Sequence, residues 1–87
     1  MELKDKVAIV TGGAGNLGLS IAKGLLENDV TVIVLDIDKE KLKQLDKRFV
    51  AYDVDITNYQ LVQECIDDIV NKFSKIDILV NNAGVIY

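Results

Sequence analysis

Residues 11–18 read TGGAGNLG, and within them Gly13, Gly15 and Gly18 satisfy the spacing GxGxxG. Between a strand and a helix, glycines so spaced allow a tight turn and a close approach of backbone to a pyrophosphate, and the last lets the helix pack closely on its strand. The helix start that follows offers free N–H donors and partial positive charge to an anion. Main-chain amides between Thr11 and Leu19 are the expected grip on a diphosphate, with Gly12, Gly13, Gly15, Asn16, Leu17 and Gly18 as candidate contacts. Asp36 stands eighteen positions after Gly18, close to the roughly 20-residue spacing of a carboxylate that accepts from the ribose hydroxyls of a dinucleotide. Ile37 beside it is a further candidate contact. A carboxylate there repels a 2′-phosphate, and the first cation after it is Lys39, so charge favours NAD over NADP. The bland alternatives are a plain glycine turn and a strand-end aspartate facing water.

These residues need a scaffold, and the hydrophobic pattern supplies one. VAIVT (7–11) and VTVIVLD (30–36) are continuous β-branched runs that suit strands buried on both faces. FVAYDVD (49–55) and IDILVNN (76–82) read as a third and a fourth strand. Between them, Leu17, Ile21, Ala22, Leu25 and Leu26 give residues 16–28 one apolar stripe, with Gly24 a local cost that close packing on the sheet would explain. KEKLKQLDK (39–47) is a short charged helix showing Leu42 and Leu45 to the core. Val62, Ile66, Ile69, Val70 and Phe73 mark a strongly amphipathic helix over 58–73, with Thr57 or Asn58 as its N-cap. The alternation βαβαβαβ implies an α/β fold: a Rossmann-like open parallel sheet in three layers, with expected strand order 3-2-1-4, truncated after the fourth strand. A ligand crevice then opens between strands 1 and 4, where the winding reverses.

Composition narrows the classes. Eighty-seven residues allow one domain, 1–87, and a hydrophobic share of 49% without Pro excludes a disordered chain. Ten Lys and Arg against fourteen Asp and Glu give a net charge of −4, which argues against nucleic acid as a partner. A single cysteine, Cys65, and no His exclude Cys/His zinc frameworks. The four-residue apolar run after MELKDK is too short for a signal-peptide core or a membrane span, so the expected location is cytoplasmic.

Four separated pieces, LKDKVAIVTG (3–12), TGGAGNLG, YDVD (52–55) and IDILVNNAG (76–84), make the whole chain resemble the N-terminal part of a short-chain dehydrogenase/reductase. The resemblance implies hydride transfer between a nicotinamide cofactor and an alcohol or carbonyl substrate. It implies that Asn82, Ala83 and Gly84 of NNAG lie along the cofactor and steady the central strand, and that Asp53 and the Val54 backbone meet the adenine. One departure stands out. The single-domain branch usually shows TGxxxGxG, with glycine where this chain has Asn16, whereas TGxxGxxG is typical of the extended branch of epimerases and dehydratases. NNAG favours the single-domain branch, with Asn16 as a variant that accepts left-handed backbone angles.

In such enzymes a Ser, a Tyr and a Lys four residues after the Tyr carry the proton chemistry. Here Tyr52 is followed at that spacing by Ile56, Tyr59 by Gln63, and Tyr87 is the last residue. No catalytic residue is therefore assigned, and the chain reads as the adenosine-binding part of an oxidoreductase, excised or truncated. Its unpaired fourth strand would then favour a homo-oligomer. The competing reading is a non-catalytic nucleotide-binding or interaction module; a fragment of an extended-branch epimerase is a third. Asp53 and Asp55 lack a third ligand for a metal, Asp67 and Asp68 read as a solvated helix face, and Cys65 reads as a small hydrophobe. Lys39, Lys41, Lys43, Lys47 and Arg48, interleaved with Glu40 and Asp46, read as an ordinary exposed helix.

Overall fold

The computed structural model describes residues 2–82. The elements run β1 (Val7–Thr11), α1 (Asn16–Glu27), β2 (Thr31–Asp36), α2 (Lys39–Lys43), β3 (Val50–Asp53), α3 (Tyr59–Phe73) and β4 (Ile78–Asn81). The strands form one sheet in the order β3-β2-β1-β4, all parallel, with Ile9 level with Ile33 and Leu79 across the sheet. This is the Rossmann-like α/β arrangement that the alternation implied.

β1 and β2 are central, and their continuous β-branched runs are explained by helices on both faces. Ala8, Val10, Val32 and Val34 pack under α1 and α2 with Ala22, Leu19, Leu25, Leu26 and Leu42. Ile9, Ile33 and Leu35 point the other way, onto Cys65 and Ile69 of α3 with Val62, Ile66 and Phe73 around them. Period-two alternation along the strands thus feeds two cores, and each fully buried Ile or Leu contributes roughly 1.5–3 kcal/mol of burial. β3 and β4 lie at the sheet edges among the described residues, and their burial alternates residue by residue. Leu79, inside what reads as a continuous apolar run, is 64% exposed.

Asn58 caps α3, its Oδ1 accepting from the Leu61 amide at 3.1 Å. Thr57, the alternative cap, instead donates to Asp55. Leu17, counted in the α1 stripe, is exposed, because its place on the first turn lies beyond the sheet. Gly24 is not explained by close packing: a Cβ there would meet nothing within 4 Å. Asp68 is not simply part of a solvated face. Its Oδ2 accepts from the Tyr52 hydroxyl at 2.5 Å and pairs with Lys72 at 3.2 Å, tying α3 to β3. Desolvation, then the Asp68 hydrogen bond, raises the Tyr52 pKa, while the same hydrogen bond holds Asp68 below the usual carboxylate range. Among the described residues no helix is long and apolar enough to cross a membrane.

Candidate dinucleotide-binding site

β1 ends at Thr11 and the chain turns at Gly12, whose φ of 66° is the left-handed angle that glycine adopts without penalty. The Gly12 amide donates to the Leu35 carbonyl at 2.7 Å, so the turn is tied to β2. Gly13 is small for a packing reason: a Cβ there would come within 2.8 Å of Val34 Cγ1. Gly18 likewise has no room, since a Cβ would collide with the Gly12 carbonyl and lie 2.8 Å from Asn82 Nδ2. The last glycine therefore lets α1 close onto the loop and the end of β4, rather than onto its preceding strand. Gly15, the N-cap of α1 with extended backbone, has only ordinary contact around it. Asn16 opens α1 and is not among the residues with positive φ, so left-handed tolerance does not account for it.

The amides of the loop divide into two sets. Ala14 donates to Asp36 Oδ2, Gly15 to the Gly12 carbonyl and Leu19 to the Gly15 carbonyl. The first-turn amides of Asn16, Leu17 and Gly18 have no preceding turn to donate to. α2 and α3 begin with Asp38 and Asn58, whose side chains accept first-turn amides, but Gly15 has no side chain to do so. The α1 start thus presents unfilled donors and the positive end of a helix dipole, with no acidic residue in its first turn. The grip available to an anion is narrower than the whole span from Thr11 to Leu19.

Asp36 closes β2 beside this loop and is no idle strand end. Its Oδ2 accepts from Ala14 N at 3.1 Å and its Oδ1 from Asp38 N at 3.0 Å. A carboxylate has about four acceptor sites, so room remains on it for hydroxyl donors. Next to it, Gly12, Leu35, Asp36, Ile37, Val54, Asp55, Ile56 and Thr57 surround a largely apolar cavity of about 200 Å³ at the carboxyl ends of β1, β2 and β3. Ile37 and Val54 line this cavity, whereas Asp53 leaves β3 on the opposite side and pairs with Lys39 at 3.4 Å. Asp55, set aside as a metal ligand, has a structural role. Its Oδ1 accepts the Thr57 amide at 2.9 Å and the Thr57 hydroxyl at 2.7 Å, fixing one cavity wall, and these bonds lower its pKa. The D-x-T spacing was the signal available for it. A hollow of about 250 Å³ between α1 and Asp46, Arg48 and Phe49 lies at the other end of the strands, away from this chemistry.

β4 supplies the third wall. Thr11 Oγ1 donates to Asn81 Oδ1 at 2.9 Å and accepts from Asn82 N at 3.1 Å, and Asn82 Nδ2 donates to the Gly12 carbonyl at 3.4 Å. The two asparagines thus lock the end of β4 to the glycine loop. Ala83 and Gly84 lie outside the described residues.

The family model for short chain dehydrogenases matches residues 6–87. The chain belongs to that family. A short chain dehydrogenase/reductase of Gibberella zeae is 41% identical over 90 residues, covering 97% of this chain and 33% of that protein. Sorbitol-6-phosphate 2-dehydrogenase of Klebsiella pneumoniae is 41% identical over 85 residues, covering 98% and 32%. Among solved structures, an NAD+-bound xylitol dehydrogenase superposes with a TM-score of 0.87 at 35% identity, covering 97% of this chain and 35% of that one. A short chain dehydrogenase of Leptospira borgpetersenii with bound NAD+ gives 0.83 at 32% identity, covering 97% and 33%. The short chain dehydrogenase chain described here spans about a third of the length of these curated relatives. Family and neighbours together support a nicotinamide dinucleotide as its class of cofactor.

Proposed function

We propose that this chain forms the adenosine and pyrophosphate half of the cofactor site of an NAD-dependent short-chain dehydrogenase/reductase acting on an alcohol or carbonyl substrate. The observation that carries the reading is the uncapped start of α1 lying one loop away from the Asp36 carboxylate. Donor and acceptor chemistry fit the cofactor: amides of Asn16, Leu17 and Gly18 suit the pyrophosphate, and the spare acceptor sites of Asp36 suit the adenine-ribose hydroxyls. Ile37 and Val54, in the apolar cavity next to Asp36, suit the adenine face. Gly12, Gly13 and Gly15 keep the loop backbone accessible, while Asn82, with Ala83 and Gly84 after it, continues the site along the cofactor. The bound nicotinamide would supply the hydride chemistry. The part of these residues is to bind and orient the cofactor and to discriminate between its forms.

The Asp36 carboxylate favours NAD over NADP, because a 2′-phosphate would bring negative charge against it and nearby Lys39 is already paired with Asp53. Calorimetric titration with NAD, NADP and AMP tests both levels. NAD is expected to bind at least about tenfold more tightly than NADP, a discrimination of about 1.4 kcal/mol. Equal affinities would remove the assignment to Asp36, and no heat with any adenylate from a folded sample would remove the function.

A further inference from the structure

Asp36 does more in this structure than wait for a ribose. Its two oxygens each hold a backbone amide, Ala14 N at 3.1 Å and Asp38 N at 3.0 Å. Ala14 is the buried middle of the glycine loop, flanked by Gly13 against Val34 and by Gly15 at the start of α1. Among the described residues, the loop backbone from Gly12 to Gly15 is also held by the Gly12 amide on Leu35, the Gly15 amide on Gly12 and the long Asn82 contact to the Gly12 carbonyl. Between Gly13 and Gly15, where glycine offers the backbone the most freedom, the Ala14–Asp36 bond is the tether that reaches across to β2. Resting on the reading above, we propose that Asp36 is also a positioning residue for the phosphate loop: through Ala14 it fixes the backbone that leads into the α1 amides, so ribose and pyrophosphate recognition share one carboxylate.

The two roles of Asp36 differ in what they predict for a ligand without ribose hydroxyls. A carboxylate that only clasped the sugar would be irrelevant to 2′,3′-dideoxy-ADP, and removing its negative charge would if anything help an anion bind. A carboxylate that sets the loop matters to that ligand too. In the full 87-residue chain, Asp36→Ala is expected to weaken 2′,3′-dideoxy-ADP by about fivefold, the scale of one positioning hydrogen bond. It should also speed hydrogen exchange at the Ala14 amide about tenfold or more while leaving the Gly12 amide, bonded to Leu35, unchanged. Unchanged or tighter dideoxy-ADP binding, or unchanged Ala14 exchange, overturns the proposal. Should Asp36→Ala not fold, near-isosteric Asp36→Leu, which has no acceptor for either amide, carries the same comparison. If the unmodified chain binds no adenylate, the cofactor reading fails, and Ala14 exchange still decides whether Asp36 holds the loop.

Discussion

Asp77 and Val7 are joined twice: the Val7 amide donates to Asp77 Oδ2 at 2.8 Å and the Asp77 amide donates to the Val7 carbonyl at 2.8 Å. A side chain thus completes the β1–β4 ladder at the end where the strands begin, with Lys75 3.2 Å from the same carboxylate oxygen.

That arrangement makes stability depend on pH in a definite direction. The Val7 amide, and after it Lys75, holds the Asp77 carboxyl below the usual carboxylate range. A carboxyl whose folded pKa lies below its unfolded value of about 3.9 contributes stability that is complete above that value and is lost as pH falls through the folded one. Urea denaturation at pH 7 and near pH 3 should show Asp77→Asn flattening part of the acid-side loss of stability. An acid limb identical in the two proteins would count against it.

Gly24 offers a gain. It sits on the exposed face of α1 with open space where a Cβ would go and without a positive φ. Gly24→Ala should raise stability by about 1 kcal/mol, the helix-propensity difference, read as a higher denaturation midpoint at unchanged slope.

Gly18 offers the opposite. A methyl group there would run into the Gly12 carbonyl and Asn82, so Gly18→Ala must push α1 off the loop at a cost of about 1–3 kcal/mol. Because that shift moves the first-turn amides, NAD affinity should fall by about tenfold or more, beyond what the lost stability explains. Calorimetry on the folded variant at low temperature reads the two effects separately.

Ile69 tests the α3 core. It is fully buried against β1 and β2 in the cluster holding Ile9, Ile33 and Leu35. Ile69→Ala should cost about 2–5 kcal/mol. A loss under 1 kcal/mol in urea denaturation would mean that α3 is packed less closely than described.

Much of this was legible beforehand because the signals were local. Glycines between a β-branched run and a helical stripe, and an acid at the end of the next run, singled out Gly12, Gly18 and Asp36 without any coordinates, and the family resemblance singled out Val54. Asp53 and Val54 were named together, but neighbours in an extended chain point to opposite faces, and here Val54 lines the cavity while Asp53 pairs with Lys39. Asp68 was read as part of a solvated helix face because Tyr52 is sixteen residues away, and only the packing of α3 on β3 brings the two together.

By itself the sequence determined the order of elements, the two-sided burial of β1 and β2 and the chemistry the glycine loop offers, since these follow from periodicities of two and 3.6 residues and from the properties of single residue types. The tertiary structure alone decided which glycine is crowded, which amides remain unspent, and that the Asp36 carboxylate holds the Ala14 backbone. Those outcomes depend on distances of a few ångströms between segments far apart in the chain, and no local pattern encodes them.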